Sequence, residues 1–63
     1  MDDYEVTVYY NKTILEKNDL GYIFINVKTA YIDEDGYLRI LFNNGDITFI
    51  NRDSFYRYDV TPR

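Results

Sequence analysis

The chain of 63 residues contains no cysteine, no histidine and no tryptophan. Without cysteine it has no disulfide, thiolate metal site or thiol nucleophile, which fits a reducing compartment such as the cytoplasm. A chain of this length forms one domain, residues 1–63, and buries only about 60% of the surface that the unfolded chain exposes. We therefore expect a single small cytoplasmic domain whose stability depends on its apolar core alone.

Positive charge and long apolar runs are also scarce. Seven basic residues stand against eleven acidic ones, a net charge of −4, whereas a protein held on nucleic acid by counterion release needs a surplus of cations on one face. The longest apolar stretch, residues 22–25, is far shorter than the ~20 residues of a membrane span. Residues 2 and 3 are both aspartate, where a signal peptide is basic. We expect a soluble, unprocessed protein.

The apolar residues that are present follow the pattern of β-strands. β-branched and aromatic residues dominate each apolar run, and no stretch of twelve residues keeps helical spacing. Residues 4–10 alternate with period two, which places Val6 and Val8 inward. Residues 11–21 are polar and predict a long loop. Residues 21–32 are long for one strand, so we expect this strand to bend.

Two glycines mark tight hairpins. If residues 44–45 form a two-residue type I′ turn, Phe42 faces Ile47 and Ile40 faces Phe49, so these apolar residues share one face. This is the register that we predict.

The acidic segment at residues 33–36 predicts the other hairpin turn. A loop of four residues pairs Tyr31 with Leu38 and keeps Val27, Ile25 and Ile23 on the apolar face with no break in phase. A loop of three residues would instead place Lys28 inside or require a bulge. We predict the loop of four residues.

The same acidic segment could be compared with a calcium loop. An EF-hand loop with its glycine at Gly36 would place Tyr31 and Phe42 at two positions that need oxygen ligands. Asp, Glu and Gly also have sufficient local reasons to occur in a turn. We therefore predict a turn and no metal site.

The order of elements is a strand, a long loop, a bent strand, two tight hairpins, one helical turn at residues 51–54 and a final strand. This order resembles the SH3-like small barrel in layout. The resemblance implies an all-β fold, a small five-stranded antiparallel barrel with one helical turn before the last strand. An open antiparallel β-meander is the alternative.

No catalytic pattern is evident. Ser54 or a carboxylate would need an activating base other than histidine, and the chain has no GxSxG, SxxK or phosphate-binding loop. We expect no enzymatic activity and no cofactor.

Tyrosine is in excess, with eight residues in a chain whose core is small. Tyrosine brings large, rigid contact area to binding surfaces at low entropic cost. On the outward face, the predicted hairpin register places Tyr37 opposite Arg52 and Arg39 opposite Ile50. Further tyrosines fall on outward phases or strand ends. The candidate partner-binding residues are Tyr37, Arg39, Arg52, Tyr9 and Tyr22.

These features favour a small acidic module that binds another protein. Compact, acidic, Tyr-rich chains look like accessory proteins of phages and mobile elements, including inhibitors that imitate the charge of nucleic acid. The alternative is a small barrel that binds single-stranded nucleic acid through aromatic stacking and cations. A homo-oligomer, for example a ring, is compatible with either.

Overall fold

The computed structural model describes residues 3–10 and 21–63, so the predicted loop at residues 11–21 lies outside the described residues except for its last residue, Gly21. Five strands and one 3₁₀ turn are formed where the sequence predicts strands and a helical turn. Because the described residues contain no helix beyond this single turn, they include none that is long and apolar enough to cross a membrane. The elements are β1 (Tyr4–Tyr10), β2 (Tyr22–Ile32), β3 (Tyr37–Phe42), β4 (Ile47–Asn51), the 3₁₀ turn (Arg52–Ser54) and β5 (Phe55–Pro62).

All five strands belong to one antiparallel sheet in the order β4-β3-β2-β1-β5. The all-β prediction is confirmed. Among the described residues β4 and β5 do not pair, so the sheet is open and fits the meander alternative.

The two edge strands are consecutive in the chain, and this forces the sheet to curl. In a flat sheet of five strands, the edge strands lie about 19 Å apart. Only residues 52–54 link β4 to β5, and such a link spans at most about 14 Å. The edges therefore approach each other at the 3₁₀ turn.

One face of the sheet, the inner face, carries the core. Strict alternation along β1 and β3 directs every second side chain to this face, as the sequence predicts for β1. Partly buried aromatic residues, including Phe24 and Tyr58, pack around it. The buried residues are Val6, Val8, Val27, Leu38, Ile40, Ile50 and Phe55.

The predicted register of β3 and β4 is wrong by one residue. Leu41, and not Phe42, lies opposite Ile47. The reason is the turn: the Gly45 N–H donates to the Phe42 carbonyl (3.0 Å), and Gly45 has φ +96°. Asn44 does not have the positive φ that a type I′ turn requires. The loop therefore has three residues, ending in a left-handed glycine.

The slip of one residue exchanges the two faces of β4, because side chains alternate with period two. Ile50, predicted to point outward, is buried, with 7% of its surface exposed. Ile47 and Phe49, predicted to point inward, are half exposed on the other face, the outer face of the sheet.

The turn between β2 and β3 also has three residues, 34–36, and the predicted loop of four is wrong. The pairing of Val27 with Phe42 is nevertheless the predicted one. A bulge between residues 27 and 29 reconciles the two, and it leaves Lys28 exposed. The chain thus adopts the bulged alternative, which avoids burying a charge.

A second bulge interrupts β2 at Asn26, which has φ +60°. Asparagine tolerates this left-handed conformation better than most residues. The extra residue resets the phase of the strand before it, so that Phe24 packs on the core while Ile23 and Ile25 are about half exposed. The prediction that Ile23 and Ile25 face inward is therefore wrong.

Candidate functional site

Arg39 lies in the middle of a row of side chains that crosses three strands on the outer face. Leu38 and Ile40 are buried on either side of it, so alternation along β3 directs Arg39 outward. The register places Tyr31 of β2 and Phe49 of β4 beside it. The Arg39 guanidinium carbon lies 5.0 Å from the centroid of the Phe49 ring, in the geometry of a cation–π contact.

Asp33 fixes Arg39 from the other side. Asp33 Oδ2 accepts a hydrogen bond from Arg39 Nε at 2.6 Å, and Oδ1 accepts from the backbone N–H groups of Asp35 and Tyr37, both at 2.9 Å. The bond from the Tyr37 N–H, with help from Arg39, lowers the pKa of Asp33 below its usual value. The acidic segment forms the predicted turn, and both Asp33 oxygens are engaged by donors of the protein itself.

Four exposed apolar side chains surround Arg39. We call this set, together with Arg39, the Arg39 patch. Half-buried Leu41 lies on the same face in the adjacent row of side chains, between Thr29 and Ile47. Aromatic and arginine side chains are the residues that most often dominate binding energy at protein interfaces. The exposed members are Tyr31 (42%), Tyr37 (41%), Ile47 (50%) and Phe49 (54%).

The structure brings together two of the five predicted site residues, Tyr37 and Arg39. Arg52 was predicted to face Tyr37, but Asn51 occupies that position and Arg52 begins the 3₁₀ turn. The Arg52 guanidinium lies 5.5 Å from the ring centroid of Phe55, a core residue. Arg52 is therefore not part of the Arg39 patch.

Tyr9 lies on the outer face of β1, separated from β3 by β2. There it contacts the Arg57 guanidinium (5.1 Å from the ring centroid) and the Tyr56 ring (6.2 Å between centroids). These residues form a second aromatic and basic cluster on the same sheet. Because Arg57 also forms an ion pair with Asp59 (2.9 Å), this cluster is occupied largely by its own contacts.

Tyr22 pairs with Val8 and therefore shares the inner face, although 58% of it is exposed. Its ring packs edge-on against Phe24, with 4.7 Å between centroids. Burial, and to a lesser extent the neighbouring Tyr22, raises the pKa of the Tyr10 phenol. Tyr22 thus lies on the opposite face of the sheet from the two outward clusters.

Sequence reasoning missed Tyr31, Ile47 and Phe49 as members of the site. The assumed turns shifted the register, and this shift placed all three on the apolar face. The signal that could have found them is a glycine at the third position of each loop, since a type I turn followed by a left-handed glycine is a common hairpin of three residues.

The described residues offer no group of three or more His, Cys, Asp or Glu side chains arranged to hold a metal ion. Four concave regions of about 380–600 Å³ lie on the described part of the chain, one of them over the acidic turn, and all four are open to solvent. Comparisons of the chain with models of protein families, with curated proteins and with solved structures find no match.

Proposed function

We propose that this chain is a non-enzymatic module that binds another protein through the Arg39 patch. The observation that carries the proposal is the exposure of four large apolar side chains around one arginine on a continuous stretch of sheet. Contiguous exposed apolar surface of this kind usually marks an interaction site.

The arginine is held in place before any partner arrives. The Phe49 ring and the Asp33 carboxylate contact Arg39 from two sides, so ordering it on binding costs little additional entropy. The aromatic side chains around it have few rotatable bonds and offer rigid contact area.

The charge of the patch favours a protein partner over a phosphate backbone. Asp33 balances the charge of Arg39, and the whole chain carries a net charge of −4. A patch of low net charge fits an apolar or aromatic protein surface with a polar rim. We propose that the chain acts as a subunit, adaptor or inhibitor of the kind that phages and mobile elements encode.

We also interpret the fold as an SH3-like small barrel that closes at the 3₁₀ turn and stays open along the rest of the outer edge of β4. The strand order and the short link that draws β4 towards β5 support this interpretation. NOE measurements in solution would test it, since this barrel requires contacts between β4 and β5 beside the turn.

Affinity capture with matched variants tests the proposed function. Tyr37→Ala removes an exposed tyrosine of the Arg39 patch, and Tyr22→Ala removes an exposed tyrosine of the inner face. Captures are made from nuclease-treated lysate of the source organism. We expect a protein that binds wild type and Tyr22→Ala but not Tyr37→Ala. For that protein, Tyr37→Ala should weaken binding by about 1–3 kcal/mol.

Melting curves on the same variants separate binding from folding. Ile40→Ala serves as the unfolding control, because Ile40 is fully buried. If Tyr22→Ala loses the partner as completely as Tyr37→Ala while both remain folded, the Arg39 patch is not the binding site.

Single-stranded nucleic acid is a second candidate, favoured by the stacking of Arg39 on Phe49 between two tyrosines. Bases stack on such aromatic and guanidinium surfaces. Binding to oligonucleotides that weakens steeply with salt would support this candidate. Absence of such binding would leave the protein partner.

A further inference from the structure

The edge of β4 that faces away from β3 has no partner strand among the described residues. The Phe42 N–H donates to the Asp46 carbonyl, so residues 48 and 50 also exchange hydrogen bonds with β3 in the alternating antiparallel pattern. The N–H and C=O groups of Ile47, Phe49 and Asn51 therefore point away from β3, towards the open edge.

Nothing in the sequence of β4 protects this edge. Natural sheets usually guard their edges with charged residues, prolines or bulges. The opposite edge strand, β5, has all three: the Arg57–Asp59 ion pair, Pro62 and an irregularity in its pairing with β1 near Tyr10. β4 is five uncharged residues, Ile-Thr-Phe-Ile-Asn, with no bulge. It is suited to accept another strand.

We propose that two copies of this chain pair through their β4 edges, antiparallel, around a two-fold axis at Phe49. In this register each Phe49 exchanges two backbone hydrogen bonds with Phe49 of the second copy. Ile47 of each copy likewise pairs with Asn51 of the other. All three residues whose backbone groups face the edge are satisfied, which gives six new hydrogen bonds and one continuous sheet of ten strands.

Charge complementarity selects this register and a second copy as the occupant. One step beyond the strand at each end, Asp46 of one copy lies opposite Arg52 of the other, and the two-fold axis repeats the pair. Within the described part of the chain, neither Asp46 nor Arg52 forms an ion pair. An unrelated peptide would have no reason to match both ends of β4 at once.

Pairing of this kind also brings the two outer faces together. The Phe49 side chains meet across the axis, and the Arg39 patches of the two copies become one surface. The inference goes beyond the proposed function and does not depend on it, because the residues substituted below, Asp46 and Arg52, lie outside the Arg39 patch.

A charge exchange tests the proposal on the full chain. Asp46→Arg places arginine opposite arginine in the dimer, and Arg52→Asp places aspartate opposite aspartate. Each variant alone should therefore dimerise at least about tenfold more weakly than wild type in sedimentation equilibrium. An equimolar mixture of the two variants restores opposite charges at both ends. It should form a heterodimer within about threefold of the wild-type affinity.

The mixture controls for folding, since it contains the same two chains as the single-variant samples. Amide hydrogen exchange on wild type adds a measurement that needs no variant. The N–H groups of Ile47, Phe49 and Asn51 should exchange more slowly as protein concentration rises, while those of β5 should not change.

A wild-type chain that stays monomeric at millimolar concentration would overturn the proposal. A mixture that associates no better than its components, or assemblies larger than a dimer, would also overturn it.

Discussion

Two isoleucines on the same strand test the observed register of β3 and β4. Ile50 is 7% exposed and Ile47 is 50% exposed, yet the register favoured by the sequence would reverse their environments. Ile50→Ala and Ile47→Ala delete the same atoms from the same strand. The difference between the two variants therefore reports how far each side chain is buried and packed.

The expected magnitudes follow from the number of carbons removed. Each substitution deletes three carbons, worth about 0.8 kcal/mol each when fully buried. A cavity left in the core brings the cost of Ile50→Ala to roughly 3–4 kcal/mol. Ile47→Ala, at a site already half in water, should cost about 1 kcal/mol. A domain of this size has a total stability of roughly 3–9 kcal/mol, so Ile50→Ala should leave the chain close to unfolding.

Urea titration followed by tyrosine fluorescence or circular dichroism measures both costs. The titrations belong at low protein concentration, so that association through β4 does not contribute. In thermal melts at the same low protein concentration, the two variants should differ in melting temperature by about 10–20 °C. If Ile47→Ala costs as much as Ile50→Ala, the register described for β4 is wrong, and Ile47 and Phe49 do not belong to the Arg39 patch.

Three further predictions concern the turns. Gly45→Val should lower the free energy of unfolding, measured by urea titration, by about 1–3 kcal/mol. The cause is φ +96°, which strains a β-branched residue although no atom would lie within 4 Å of the added Cβ. Gly45→Asn, the control, should cost less. Since the Tyr37 N–H and Arg39 lower the pKa of Asp33, the stability that this carboxylate contributes is present above its unfolded pKa near 3.8 and is lost as pH falls through the folded value. Asp33→Asn should thus destabilise the domain more at about pH 7 than at about pH 2, and an equal effect at both would exclude this role. Millimolar calcium should move the melting temperature by no more than about one degree, because Asp33 is already bonded to protein donors; a larger shift would indicate a metal site in the acidic turn.

The sequence predicts those parts of the fold that depend on local pattern. Alternation in β1 is strict, so the inward positions of Val6 and Val8 could be read directly. The same reasoning on β3 predicts that Tyr37 and Arg39 face outward beside buried Leu38 and Ile40, as they do. Two of the five members of the Arg39 patch were therefore predictable.

The positions of the other three members, Tyr31, Ile47 and Phe49, depend on the number of residues in each turn. That number is decided by backbone conformation. A loop of two residues and a loop of three place Asn43 and Asn44 in different backbone conformations, and asparagine is compatible with either. The choice reverses both faces of β4, so Phe49 and Ile47 could not be placed. The bulge at Asn26 is hidden for the same reason, since asparagine accepts its conformation at low cost.

The ladder between β1 and β5 has a consequence for how the chain folds. Val6 pairs with Val60, and the Arg63 N–H donates to the Asp3 carbonyl (3.0 Å), so this ladder joins segments from opposite ends of the described chain. The hairpins that connect β2, β3 and β4 join near neighbours, which costs far less loop-closure entropy.

We expect β2, β3 and β4 to form the folding nucleus, with β5 docking after the main barrier. Conservative truncations in β3 should then slow folding, whereas Val60→Ala should mainly speed unfolding, and the reverse result would place β5 in the nucleus. Until residue 60 has joined the sheet, the outer edge of β1 is open, and this is the interval in which a nascent chain would be most exposed to mispairing.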